Sequence, residues 1–349
     1  MQMITEDSLM KLKSGTDIRG VAVETETEKI ELTDEAVEKI CTAFVIWLRE
    51  KVNKTDLRIA VGHDSRISAA RIKKAAVKAF SAQGVTVYDC GLASTPSMFM
   101  SIVLDIKADA SLEITASHHP YQRNGLKFFT VNGGLEGRDV SDILHIAYRA
   151  ELGAEQGKVI EYDFMGIYCA HLRNQIIAEV GAGEQPLSGL KISVDAGNGV
   201  GGFYAESVLK PLGADVSGSQ FTEPDGMFPN HIPNPENQQA IASACEMVKS
   251  TNSDFGLIFD TDVDRMGCVG ASGEEINRNR LVALAAVIAL ENNQGGTVVT
   301  DSLTSDGLRE FIECSLCGKQ LRFRRGYKNV IDKSIELNES GTNSPLAIE

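Results

Sequence analysis

Short apolar runs alternate with helical patterns along most of this chain, and that alternation constrains the fold more than any single motif. Leu57–Val61, Val85–Tyr88 and Ala110–Ile114 read as strands, with a helix near Ser68–Ala82 between the first two. Thr33 caps an earlier helix in which Val37, Ile40, Cys41, Phe44, Val45 and Leu48 recur at helical spacing and form one apolar face. The rhythm resumes with a helix over Gly166–Val180 and strands at Leu190–Val194 and Asp254–Phe259. It continues with a helix over Leu281–Leu290, a strand at Thr297–Thr300 and helices at Ser305–Ile312 and Val330–Leu337. Such alternation predicts α/β architecture with mainly parallel sheets covered on both faces. In that architecture the loops at strand C-terminal ends gather at one edge, where ligands bind. The 349 residues suffice for two or three domains. Restarts near Tyr162 and Ile276 suggest units 1–161, 162–276 and 277–349.

Charge narrows the function classes. The chain carries a net charge of −14 with no strongly basic block, which argues against a nucleic-acid partner. A basic pocket for a small phosphorylated substrate remains compatible with that balance. No apolar run reaches membrane-spanning length, so no membrane partner is expected. Met1–Leu12 is polar and acidic and lacks the pattern of a secretion signal. The expected location is cytoplasmic, or the stroma of a plastid or other organelle if a presequence has been removed. Seven scattered cysteines fit a reducing compartment. Cys314 and Cys317 form a Cys-x-x-Cys pair without a second pair to complete a four-cysteine zinc site.

Chemistry concentrates in two stretches. In the first, the Ala110–Ile114 strand runs into Thr115-Ala116-Ser117-His118-His119-Pro120. Pro120 ends regular pairing. A serine flanked by histidines past a strand end suggests an exposed nucleophile with proton-transfer groups nearby, although an ordinary polar turn has the same composition. Lys127, ten residues on and in a further strand, can fold back towards the serine as a cation or proton carrier. Arg19, in the glycine-bracketed turn Ser14–Gly20, suits bidentate contact with phosphate or a surface ion pair. Gly62-His63-Asp64-Ser65-Arg66 is another polar loop at a strand end. Asp195–Gly202 is glycine-rich, but it fits neither nucleotide-binding glycine pattern and reads as a tight strand-to-helix turn. Pro224–Pro235 reads as an irregular crossing loop at a domain edge.

In the second stretch, the apolar strand ending at Phe259 runs into Asp260-Thr261-Asp262-Val263-Asp264-Arg265. Aspartates at i, i+2 and i+4 of an extended segment point the same way. Three adjacent carboxylates repel unless a cation is shared among them, and hard oxygen ligands suit Mg²⁺. Arg265 can hold an anion beside the metal. Arg322, Arg324, Arg325 and Lys328 form a local basic cluster, able to face phosphate or simply solvent.

Together these motifs resemble the α-D-phosphohexomutases, over nearly the whole chain and in family order. The resemblance implies consecutive mixed-sheet α/β domains of phosphohexomutase type, with helices on both faces of each sheet. It makes Ser117 the phosphorylated residue. It makes Asp260, Asp262 and Asp264 the Mg²⁺ ligands, with a phosphoserine oxygen of Ser117 completing the set. Arg19 and Arg265 then contact phosphate, Lys127 is the general acid/base, and His118 assists at the phosphoserine. Arg324, Lys328 and Glu349 fall to substrate and phosphate binding. The implied activity interconverts hexose 1-phosphate and hexose 6-phosphate (glucose, mannose or glucosamine phosphate) through a hexose 1,6-bisphosphate.

The sequence also departs from the family pattern. Thr261 and Val263 stand where glycines are usual, His119 replaces asparagine, and His63 replaces arginine. Glu349 matches the first residue of the sugar-recognition loop. The expectation is therefore a partial third domain, no fourth domain, and impaired turnover. Two other readings compete. A haloacid-dehalogenase-like phosphohydrolase would use Asp260 as nucleophile, on the strength of an apolar strand ending in Asp-x-Asp. A degenerate, catalytically weak mutase-like protein would act as a metabolite sensor or interaction partner.

Overall fold

Thr33 Oγ1 accepts the amide of Ala36 and opens the long helix Asp34–Val52 in the computed structural model, which describes residues 4–349. The first three residues of the polar N-terminal segment lie outside that range. Val37, Ile40, Cys41, Phe44, Val45 and Leu48 are all buried, as their spacing predicts. Phe44 stacks on Phe128 with ring centroids 4.1 Å apart, which seats the helix on the first sheet.

That sheet has eight strands. Its main path runs Lys13–Ser14, Asp17–Val21, Arg123–Thr130, Ala110–Ile114, Arg58–His63, Thr86–Leu92 and Val159–Glu161. The last four pair in parallel, whereas Arg123–Thr130 and Asp17–Val21 run antiparallel to their neighbours. The sheet is therefore mixed. Alternate residues serve opposite faces. Ile59 and Val61 join the core under the helices Asp34–Val52, Ala69–Ala82 and Gly137–Arg149, while Ala60 joins the core under Thr95–Val103 and Phe164–Val180.

A second sheet pairs Ile192–Asp195 in parallel with Phe255–Phe259, which pairs antiparallel with Met266–Gly270. The helix Gln238–Thr251 covers one side, burying Ala240, Ala244, Met247 and Val248. Both sheets belong to one compact unit that ends at Glu274. The unit Glu275–Glu349 has its own parallel sheet, with Thr297–Thr300 between Lys319–Arg322 and Leu346–Ile348. Its helices include Arg278–Glu291 and Tyr327–Glu339. The helix expected over Ser305–Ile312 is shorter, Asp306–Glu310, and continues as a wider π-type turn to Ser315. No helix among the described residues is long and apolar enough to cross a membrane.

Candidate active site

The Ser117 loop begins where the Ala110–Ile114 strand ends. Its shape comes from Arg66, a residue of the neighbouring strand-end loop whose side chain is fully buried. The guanidinium donates to the carbonyls of Ser117, His119 at 2.6 Å, Pro120 at 2.7 Å and Arg123 at 3.0 Å. Asp64 takes the remaining donor, Nε, at 3.1 Å. A buried cation thus answers four loop carbonyls, of which that of Pro120 also takes the Arg123 amide at 3.0 Å. Burial pushes the Asp64 carboxyl up to about 6, against the opposing pull of Arg66. Thr115 Oγ1 accepts the Ser117 amide at 2.8 Å, and Ser117 sits in the left-handed region at φ +51°. That conformation is costly for a residue other than glycine, and the Arg66 contacts hold it.

The aspartates come from the second sheet. The expectation of an extended segment is corrected: Asp260–Asp264 is a hairpin turn between Phe255–Phe259 and Met266–Gly270. Curvature gathers the carboxylates, not strand alternation. Val263 takes φ +63°, a strained backbone for a β-branched residue, while its side chain is buried in the second-sheet core. Thr261 has no such φ. Each aspartate offers one carboxylate oxygen, and the three lie within 4.8 Å of one another. Asp260 Oδ2 accepts from Ser117 Oγ at 3.0 Å, so the two motifs meet.

Electrostatics at the meeting point are unbalanced. Burial, then Asp262 and Asp264, hold the Asp260 carboxyl well above the usual carboxylate range. Burial and Asp264 raise Asp262. Burial also works on Asp264, but Lys127 Nζ at 2.6 Å prevails and lowers it. Lys127 lies 3.9 Å from Asp262 as well. Thr95 Oγ1 donates to Asp262 Oδ2 at 2.6 Å, whereas Asp262 Oδ1 is buried without a partner. Three hard oxygens, one of them unanswered, fit a hard divalent cation such as Mg²⁺.

Cationic groups ring the serine. Arg265 donates to His118 Nδ1 at 2.9 Å, and the same nitrogen lies 3.3 Å from Ser117 Oγ. Burial and Arg265 lower the His118 pKa, so the imidazole is neutral with Nδ1 as acceptor. Burial and Arg19 bring His119 down to about 4. Arg19 lies in the strand Asp17–Val21 instead of the preceding turn, and Nη2 is 2.7 Å from Asp17. Its strand pairs with Gly125, whose carbonyl accepts the Thr115 amide at 3.2 Å.

Ser117, His118, Lys127, Asp260, Asp262, Asp264 and Arg265 therefore come together, with Arg19 beside them. Arg324, Lys328 and Glu349 belong to the other unit. There Arg324 and Glu349 follow the C-terminal ends of parallel strands, Lys328 pairs with Asp332 at 2.8 Å, and Glu349 lies 3.4 Å from Arg325. Sequence reasoning named the Gly62–Arg66 loop without giving Arg66 a role, and gave none to Thr95 or Glu113. An Asp-x-Arg just past a strand end was a signal for Arg66. Glu113 is fully buried, neither oxygen has a partner, and its strand-register partner is Lys127. Burial, then Asp64 and Asp262, raise its pKa well above the ordinary value.

Comparison with known proteins points to one family. The family model described as phosphoglucomutase/phosphomannomutase, alpha/beta/alpha domain I, matches residues 10–152, and that for domain II matches residues 167–273. A phosphoglucomutase of Neisseria meningitidis serogroup B is 33% identical over 287 residues, covering 82% of this chain and 58% of the relative. A phosphoglucomutase/phosphomannomutase of Thermococcus kodakarensis is 31% identical, covering 85% of this chain and 63% of the relative. The crystal structure of a phosphoglucomutase/phosphomannomutase family protein from Burkholderia thailandensis superposes with a TM-score of 0.80 at 27% identity, over 97% of this chain and 70% of the other. The chain thus spans 58% of the length of the Neisseria relative.

Proposed function

Because the chain belongs to the phosphoglucomutase/phosphomannomutase family, we propose that it carries the phosphoryl-transfer site of a hexose-phosphate mutase, with Ser117 as the phosphate carrier. The observation that carries this reading is the 3.0 Å contact between Ser117 Oγ and Asp260 Oδ2, at the rim of the aspartate cluster. Asp260, Asp262 and Asp264 would hold Mg²⁺, which would neutralise phosphoryl oxygens when bound.

The remaining chemistry is positioning and charge. Phosphate leaves Ser117 Oγ for a hydroxyl of a hexose monophosphate and makes a hexose 1,6-bisphosphate. The net proton movement is from that hydroxyl to Ser117 Oγ, and Lys127 supplies Oγ as the acid. Arg265 and Arg19 face the phosphate oxygens. Neutral His118, its Nδ1 taken by Arg265, lies beside the serine oxygen and adds no charge there. After the sugar reorients, Ser117 takes back the other phosphate. Arg324, Lys328 and Glu349 are proposed to grip the hexose phosphate (glucose, mannose or glucosamine phosphate).

Incubation with Mg²⁺ and glucose 1,6-bisphosphate, followed by peptide mass spectrometry, tests the reading. We expect one phosphate on Ser117, lost on adding glucose 1-phosphate, and none in Ser117→Ala. Labile phosphate on Asp260 would instead assign a haloacid-dehalogenase-like phosphohydrolase and overturn the mutase.

A further inference from the structure

The crossing loop Pro224–Pro235 and the glycine-rich turn after Asp195, both unassigned by the site chemistry above, are joined by one buried contact. His231 Nε2 lies 3.0 and 3.1 Å from the two oxygens of Asp195, and Nδ1 lies 3.0 Å from the carbonyl of Ile232. Both partners accept and neither donates. Both ring nitrogens must therefore carry protons, so the geometry specifies an imidazolium–carboxylate pair. Asp195 is fully buried and His231 nearly so. Asp195 also takes the Gly197 amide at 2.9 Å and Gln220 Nε2 at 2.7 Å.

Each partner reaches a different half of the proposed site. On the Asp195 side, the turn supports the metal loop: the Val200 amide donates to the Thr261 carbonyl at 2.9 Å. A Cβ on Gly199 would stand 2.7 Å from that same carbonyl oxygen, so the approach is closed to any side chain. On the His231 side, the crossing loop supports Arg66. Phe228 presents its ring to the guanidinium at 5.3 Å. A Cβ on Gly226 would stand 2.4 Å from the Ile67 nitrogen. Arg66 in turn holds the carbonyls of Ser117, His119 and Pro120. The path from Asp195 thus leads to Thr261 in one direction and, through His231, to Ser117 in the other.

We propose that Asp195 and His231 are a positioning pair that sets the separation between the phosphate-carrying serine and the aspartate cluster. The assignment rests on the phosphoryl-transfer reading above. The pair touches no reacting atom and acts through Arg66 and Thr261. Asp195 is the charged partner of the His231 ring, and Phe221 meets the ring edge-on at 5.5 Å. Burial opposes the imidazolium, but Asp195 prevails and raises the His231 pKa above 6.5. The grip is therefore fully present below the ordinary histidine pKa and is lost as pH rises through the folded value.

The test uses the full chain, with Mg²⁺ and glucose 1,6-bisphosphate as phosphate donor. Wild type, His231→Gln and Asp195→Asn are compared across pH for the rate of Ser117 phosphorylation. Amide hydrogen exchange over 115–120 and 260–265 is measured without Mg²⁺. Both variants are expected to fold, to lose about tenfold in maximal rate with little change in half-saturation, and to exchange faster in both loops. The wild-type rate should fall towards alkaline pH, that step should vanish in His231→Gln, and it should move to lower pH in Asp195→Asn. Folded variants with wild-type rate, pH profile and exchange would overturn the proposal. If wild type itself takes no phosphate, the functional reading fails, and the exchange comparison still decides whether the pair holds the two loops.

Discussion

The Ser117 loop and the Asp260–Asp264 loop both follow strand ends, and both contain one non-glycine residue in the left-handed region. They differ in how their polar groups are answered. The serine loop is complete within the chain: Arg66 satisfies its carbonyls from behind, and Asp64 compensates Arg66. The aspartate loop is incomplete. Lys127 balances only part of its charge, and Asp262 Oδ1 has no partner. One half of the site is therefore preorganised by the fold, and the other is built to respond to a cation. The proposed phosphoryl transfer would use both properties, a fixed serine and a cation site open to ligand exchange.

The sharpest way to break this comparison is Arg66→Met. It takes the cation from the buried Asp64 carboxylate and a donor from each of the loop carbonyls, and we expect a loss of about 3–5 kcal/mol in urea unfolding. A loss below about 1 kcal/mol would mean that the serine loop does not depend on its internal cation. Next comes the metal. Mg²⁺ at a hundredfold excess over its dissociation constant should stabilise the protein by about 2.7 kcal/mol, read as a rise in melting temperature. Asp262→Asn should abolish most of that rise while leaving the apo melting temperature equal or higher, because a repelling charge is gone.

Glu113 tests how far the unbalanced charge reaches. Its raised pKa favours the neutral form on folding, so wild-type stability falls as pH climbs from about 4.5 through the folded pKa. Glu113→Met should therefore stabilise the protein by about 1–3 kcal/mol near neutral pH, with a gain that grows as pH rises. A gain independent of pH would mean that the carboxyl titrates alike in the folded and unfolded chain, with no shift from burial. The smallest effect belongs to Val263→Gly. Relief of about 1–2 kcal/mol of backbone strain opposes the loss of about 2 kcal/mol of buried side chain, leaving a net change under about 1 kcal/mol.

The parts of the site that were legible in the sequence are local. Ser117 and the three aspartates announce themselves as polar residues at the ends of apolar strands, and Lys127 falls in a strand adjacent to the serine. Strand–helix alternation likewise exposed the helices that build the first core. The illegible parts depend on distant chain. Arg66 looks like any loop arginine until residues 117–123 close over it. Glu113 looks like an alternation error in an apolar strand, because nothing local shows that the Thr95–Val103 helix covers that face. The turn that gathers the aspartates was hidden by Val263, a residue whose β-branching argues for an extended backbone. The Asp195–His231 pair spans 36 residues with irregular chain between.

A left-handed backbone at Ser117 narrows one evolutionary route. Threonine carries the same hydroxyl and takes phosphate elsewhere, but its branched Cβ is poorly tolerated at φ +51°. Drift between serine and threonine is thus disfavoured here by backbone strain of the kind Val263 carries. Aspartate and asparagine enter that conformation more readily than most residues. A lineage that lost the serine would have easier access to a carboxylate or an amide at position 117 than to another alcohol.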